Sequence, residues 1–211
     1  MTAEHSGCHR PDRILRMLST DILATFRGLL EEARASGDPE PTAMNLATAD
    51  GDGRISSRIV LLKGVDERGL RFFTNTESAK GEQLKAHPQV ALTFHWKQIA
   101  HGVQVRFEGS TSRLLPEDAD AYFATRARGS QIGAWASAQS QTLPDRDTFE
   151  QRVAKYEAEF EGRDVPRPPY WGGYLMQPNM VEFWYGAEFR LHERVRWDRF
   201  GETWRSRLLY P

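Results

Sequence analysis

From Ala43 onward the chain is built of short apolar-rich runs separated by Gly- and Asp-rich turn signals, a punctuation that commits it to antiparallel strands. Runs 43–49 and 55–62 flank Asp50-Gly51-Asp52-Gly53, residue types that tolerate the positive φ of a tight hairpin. A second hairpin passes through Asp66-Glu67-Arg68-Gly69 into 70–74, and strand patterns return at 90–96 and 103–114. Further strands are predicted around Tyr174 and at 181–184, 190–197 and 203–209. Helical spacing interrupts them: Ile22, Phe26, Leu29, Leu30 and Ala33 before the stop signals Gly37 and Pro39, a short helix over 78–86 closed by Pro88, and helices over 116–126 and 147–161. In the last, Phe149, Val153, Tyr156 and Phe160 form a stripe suited to core packing. The pattern predicts a mainly β chain, an antiparallel barrel with packed helices. Residues 1–19 are polar and aperiodic and read as a flexible arm, with 20–211 as a single domain.

Lys and Arg number 28 against 29 Asp and Glu, a net charge of -1, so no global field favours nucleic acid or an anionic membrane. Any anion recognition has to be local, and neither nucleic acid nor membrane is expected as a partner. No uninterrupted apolar run approaches membrane length. Cys8 is the sole cysteine, which excludes an internal disulfide, suits a reducing, cytoplasmic compartment and leaves no zinc-type Cys spacing, so no metal is expected. A Gly-rich nucleotide loop, a metal-spaced His pair and a Gly-x-Ser-x-Gly elbow are all missing, which removes nucleotide-hydrolase and hydrolytic-triad chemistry.

Local anion sites are plentiful. On a strand, Arg190, His192 and Arg194 would project from one face while Leu191 and Glu193 face away, giving two guanidiniums and an imidazole in a row. Taken alone the same segment reads equally as a solvated edge strand. Arg58 and Lys63 bracket an apolar run roughly 16 Å long at about 3.3 Å per residue, and their parity puts them on opposite faces. Tyr122, Arg126 and Ser130 recur every fourth residue, so a continuous helix would make them a phosphate clamp; a charged helix end is the plainer reading. Thr74, Ser78 and Lys80 stand at a helix start, where free N–H groups suit a phosphate, and Gln104, Gln139 and Ser140 offer the neutral donors and acceptors a flavin ring needs.

In this order, over residues 21–211, these segments resemble the pyridoxamine 5′-phosphate oxidases. The blocks that carry the resemblance are 58–63, Gly129-Ser130-Gln131-Ile132-Gly133-Ala134-Trp135, Trp171-Gly172-Gly173, and Glu182-Phe183-Trp184 through Arg194. The resemblance implies a split β-barrel and a homodimer with FMN at its interface. It implies cofactor contacts from Arg58, Ile59, Val60, Leu61, Leu62, Lys63, Phe73, Thr74, Lys80, Gln104, Gln139, Ser140, Trp184 and Arg194. Substrate contacts are implied for Lys63, Tyr122, Arg126, Ser130, Arg190 and His192, the last two at the reacting end. The implied activity is oxidation of phosphorylated B6 vitamers by O2, yielding hydrogen peroxide. Two rivals share these features: a phenazine-pathway-type flavin oxidase, and a non-catalytic flavin- or pyridoxal-phosphate-binding protein. The chain departs from the family at Ala79, where many relatives carry Arg, and at Tyr185. The first departure implies a weaker hold on FMN.

Overall fold

The structure, a computed structural model, describes residues 17–211. Helix α1 (Thr20–Ala35) starts at Ser19, whose hydroxyl accepts from the Ile22 N–H, and buries Ile22, Phe26, Leu29, Leu30 and Ala33 along one stripe. Nine strands form one antiparallel sheet: β1 (Ala43–Ala49), β2 (Ile55–Leu61), β3 (Gly64–Asp66), β4 (Gly69–Asn75), β5 (Gln89–Trp96), β6 (Val103–Arg113), β7 (Trp171–Tyr185), β8 (Glu193–Phe200) and β9 (Thr203–Leu209). The main path runs β2-β1-β5-β6-β7-β4-β3. Strand β7 pairs β6 from Tyr174 to its end, β4 through its first half and β8 through its second. A bulge at Glu108/Gly109 shifts the β6–β7 register, and a Cβ on Gly109 would stand 2.2 Å from the Gln177 carbonyl oxygen.

The sheet has to curl. Met44 and Leu46 of β1 share one core with Leu70 and Phe72 of β4, yet β5, β6 and β7 separate the two strands in the sheet. Flat, they would lie roughly 19 Å apart at about 4.8 Å per step. The seam that closes the curl follows β2: the Leu62 N–H donates to the Thr42 carbonyl at 2.9 Å, and the next N–H, of Lys63, donates to the Arg71 carbonyl of β4 at 2.8 Å. Phe26 fills the interior, its ring edge-on to Phe94 and to Phe107 at 5.1 Å each.

Helix α2 (Ala79–Ala86) follows β4. Helices α3 (Pro116–Ala124), α4 (Arg128–Ala136) and α5 (Arg146–Glu159) lie between β6 and β7. A second, smaller core of Ala119, Phe123, Ile132, Phe160, Val165 and Trp171 ties these helices to the start of β7.

Several expectations are corrected. Tyr174 and residues 181–184 belong to one long strand, β7. The helix expected over 116–126 stops at Ala124, because the Thr125 hydroxyl donates to the Tyr122 carbonyl at 2.8 Å and the Thr125 and Arg126 N–H groups bond three residues back. Tyr122, Arg126 and Ser130 therefore do not share one helix. Of the α5 stripe, Phe160 is buried beyond the helix end, Val153 and Tyr156 are half-buried against the second core, and no residue within α5 is fully buried. The arm expected over 1–19 falls mostly outside the described residues, but its last part is packed: the Leu18 N–H donates to the Glu67 carbonyl at 2.6 Å, and Trp204 Nε1 donates to the Met17 carbonyl at 3.1 Å. Among the described residues no helix is long and apolar enough to cross a membrane.

Phe26→Ala leaves a cavity where three aromatic neighbours converge, Phe94, Trp96 and Phe107. The expected cost is about 3–5 kcal/mol, read as a lower urea midpoint with an unchanged m-value.

Candidate functional site

The closing seam and the second core meet at a cavity of about 250 Å³. Ile59, Val60, Leu61 and Lys63 line it from the seam, Phe73 and Thr74 from β4, Tyr122 and Arg126 from the α3 end, and Lys80, Gln139 and Trp171 complete it. Phe73 sits within a stack of rings, 4.2 Å from Tyr122 and 5.3 Å from Trp171. Glycine at 173 makes this approach possible, since a Cβ there would lie 2.7 Å from the Phe73 ring and 2.6 Å from Leu114.

Three cationic groups face this space, Lys63, Lys80 and Arg126, with no carboxylate among their hydrogen-bond partners. Lys80 Nζ donates to Gln139 Oε1 at 2.7 Å, Thr74 Oγ1 at 3.2 Å and Ser78 Oγ at 3.3 Å. Burial first, and then the charge of Arg58, push its pKa down to about 8. Arg126 lies over the rings of Trp171 and Phe123 at 5.0 and 5.4 Å, and its buried Nη1 has no partner. Burial lowers its pKa. Arg58 stands behind Lys80: it donates to the Leu46 carbonyl, Thr48, Ser56 and Gln83, all neutral acceptors, and burial lowers its pKa too. Leu62 is buried in the main core and does not line the cavity. Ser130 is exposed on α4 and does not line it either, because the break at Thr125 turns α4 away from the α3 stripe.

A second group lies on β6, β7 and β8. Gln104, Trp184 and Arg194 are direct cross-strand partners. Arg194 donates to Glu182 Oε1 at 2.8 Å through Nε and to the Tyr210 carbonyl at 3.1 Å through Nη1. The expected alternation of Arg190, His192 and Arg194 on one strand is overturned. β8 starts only at Glu193, and Arg190 ends a single 3-10 turn (Glu188–Arg190) in which Phe189 and Arg190 have φ of 54° and 65°. The turn closes on itself: the Leu191 N–H bonds the Glu188 carbonyl, and the Ala187 N–H donates to His192 Nδ1 at 3.1 Å, which carries His192 to within 4.4 Å of the Trp184 ring. None of Gln104, Trp184, Arg190, His192 and Arg194 lines the 250 Å³ cavity. Ser140, at φ 74°, lines a neighbouring 420 Å³ cavity that also reaches Gln139.

Residues 29–159 match the family described as pyridoxamine 5′-phosphate oxidase, and residues 171–211 match the family described as the pyridoxine 5′-phosphate oxidase C-terminal dimerisation region. The chain belongs to the pyridoxamine 5′-phosphate oxidase family. A relative from Xanthomonas euvesicatoria pv. vesicatoria (strain 85-10), named pyridoxine/pyridoxamine 5′-phosphate oxidase, is 53% identical over 196 residues, 92% of this chain and 98% of the relative. The crystal structure of PhzG from Burkholderia lata 383 with tetrahydrophenazine-1-carboxylic acid superposes with a TM-score of 0.85 at 32% identity, covering 90% of this chain and 92% of that one. A pyridoxamine 5′-phosphate oxidase-related, FMN binding protein from Nostoc punctiforme PCC 73102 gives a TM-score of 0.72 at 19% identity, covering 92% and 98%, which bears on the fold alone. The curled sheet is thus the split barrel of the oxidase family.

Three residues in or beside these groups escaped the sequence reading of roles: Trp171, which lines the cavity, Gln83, which accepts from Thr48, Ser56 and Arg58, and Glu182, which holds Arg194. Trp171 and Glu182 were visible only as members of the Trp171-Gly172-Gly173 and Glu182-Phe183-Trp184 blocks, while Gln83 carries no pattern that separates it from an ordinary surface residue.

Lys80 sets a pH dependence. Its proton is already disfavoured by burial, so with no anion bound it is charged below about pH 8 and neutral above. A phosphate monoester, a dianion well above its second pKa near 6, favours the charged form. Affinity of the free protein for such an ester is therefore expected to fall as pH rises through about 8, in a calorimetric titration series, and the Lys80→Met variant is expected to lack this limb.

Proposed function

We propose that this chain oxidises pyridoxine 5′-phosphate and pyridoxamine 5′-phosphate to pyridoxal 5′-phosphate with FMN as cofactor, working as a homodimer in the cytoplasm. The observation that carries the reading is Arg126, a cation at the cavity wall whose partners inside the chain are two aromatic rings and no carboxylate. Beside it stand the Lys63 ammonium and the Tyr122 hydroxyl, a donor set matched to a phosphate ester. The 53% identity to a named pyridoxine/pyridoxamine 5′-phosphate oxidase supports the same substrates.

The residues present fit FMN. Arg58 and Lys80 have only neutral partners, which suits the cofactor phosphate, and Thr74, Gln139 and Ser140 add neutral donors and acceptors. Gln104, Trp184 and Arg194 suit the ring. When bound, FMN supplies the two-electron acceptor that O2 reoxidises, releasing hydrogen peroxide. The substrate amine yields an imine that water hydrolyses to the aldehyde and ammonia, and the alcohol yields the aldehyde directly. The chain's own part is orientation: Lys63, Tyr122 and Arg126 hold the phosphate end, which fixes where the reacting carbon lies.

Arg190 and His192, the groups proposed for the reacting end, lie outside the cavity in one chain, so they would reach it from a second copy. The match of residues 171–211 to a dimerisation region supports that arrangement, as do the exposed Ile55 and Ile59 on the edge strand β2. His192 Nδ1 accepts from the Ala187 N–H, so the neutral ring carries its proton on Nε2 and presents a donor to the substrate.

FMN-loaded protein in air is expected to form aldehyde and hydrogen peroxide in equal amounts from both phosphate esters. Bound flavin without turnover would overturn the proposal, and turnover of a phenazine-type aromatic acid in their place would favour the other oxidase chemistry. Arg126→Gln is expected to lower kcat/KM for the esters by roughly a hundredfold, mostly through KM. Arg190→Leu is expected to lower turnover at saturating substrate.

A further inference from the structure

We infer that Trp171 is the positioning residue for Arg126, its indole face holding the guanidinium at the phosphate end of the cavity in the place where a carboxylate would ordinarily stand. The inference rests on the proposed role of Arg126 as a phosphate-directed cation.

Arg126 lies in the three-residue break between α3 and α4, where no regular helix fixes the backbone. Its N–H takes an i−3 bond to Phe123, and no carboxylate among the described residues meets its side chain. What fixes the guanidinium is the pair of rings below it, Trp171 at 5.0 Å and Phe123 at 5.4 Å. Indole has the stronger face of the two for a cation. A carboxylate in that position would neutralise Arg126 and repel an incoming phosphate, whereas a ring holds the cation and leaves its charge unspent.

Trp171 is itself rigidly held. It is 6% exposed, it stacks on Phe73 at 8° between planes, and it meets Phe123 edge-on at 5.0 Å. Arg167 fixes the remaining degree of freedom between the two elements: its Nε donates to Asp120 of α3 at 2.6 Å and its Nη1 to the Trp171 carbonyl at 2.6 Å. The helix that carries Tyr122 is thereby tied to the strand that begins with Trp171. The indole both lines the cavity and supports the cation, so loosening it shifts the phosphate contact before it touches the reacting end.

The test uses FMN-loaded protein and compares pyridoxine 5′-phosphate with phosphate-free pyridoxine, with inorganic phosphate as a competing probe. Trp171→Leu is expected to raise KM for the ester and the inhibition constant of inorganic phosphate by roughly tenfold each, a larger loss than any it causes for phosphate-free pyridoxine. Trp171→Phe, which keeps a face, is expected to restore most of the loss. Because Trp171 belongs to a core, a second series keeps the packing intact: tryptophans carrying one, two or three ring fluorines at position 171 are expected to raise the ester KM stepwise as the ring face weakens. A flat fluorine series, or a Trp171→Leu loss equal for ester and free alcohol, would overturn the inference. If Arg126→Gln itself left the ester KM unchanged, the phosphate-clamp reading would fall; if Arg126→Gln raised it while the fluorine series stayed flat, only the role of Trp171 would.

Discussion

Two consecutive backbone hydrogen bonds hold the architecture in its working form: Leu62 to Thr42 and Lys63 to Arg71. The first belongs to the β1 side of the sheet and the second to β4, so adjacent peptides stitch together strands that three others separate in sheet order. Without this seam the sheet is an open ribbon with Met44 and Phe72 on distant strands. With it, the ribbon encloses Phe26, and the outer side of the seam becomes one wall of the cavity. The side chain of Lys63 is placed by the same peptide that closes the fold, so the site's geometry inherits the rigidity of the barrel rather than that of a loop.

The second core supplies the facing wall. Trp171 belongs to that core and begins β7, the strand that pairs with β6 from Tyr174 onward and with β4 and β8 in turn. The bulge at Glu108/Gly109 separates the β4-paired half, which ends at the cavity, from the β8-paired half, which carries Glu182 and Trp184. One strand thus delivers residues to two separate regions, Trp171 to the cavity wall and Glu182 and Trp184 to the β6–β7–β8 group.

How much of this was legible in the sequence follows the range of the interactions. Strands with a turn signature and a helix with a 3.6-residue stripe were readable because each pattern is local: β1, β2, β4 to β6 and α1 fall where alternation and capping put them. The break after Ala124 was not, because a Thr hydroxyl bonding its own helix competes with propensity only weakly on paper, and here Thr125 prevails. The turn at Arg190 was misread for a related reason. Arg190, Leu191, His192, Glu193 and Arg194 alternate as a strand would, but the Ala187 N–H is taken by His192 Nδ1 and not by a ladder partner, and parity cannot reveal that. The alternation assigned Arg190, His192 and Arg194 to one strand face, whereas the chain places Arg190 in a 3-10 turn and starts β8 only at Glu193.

The cations of the two regions differ in how their charge is met. Arg194 and Arg106 share Glu182, a carboxylate only 2% exposed, at 2.8 and 3.6 Å. A buried pair of this kind contributes little net stability but fixes geometry, and removing one partner strands the other. Arg194 is in that sense complete within the chain and acts by shape. Arg58, Lys80 and Arg126 are the reverse: each is partly buried, each has its pKa lowered by that burial, and none has a carboxylate partner. Holding them so costs stability in the free protein, and an anion that reaches them recovers it. The two sets differ in whether the chain itself meets their charge, and of the unmet set Lys80, on α2, and Arg126, in the α3–α4 break, line the cavity whose other wall is the seam.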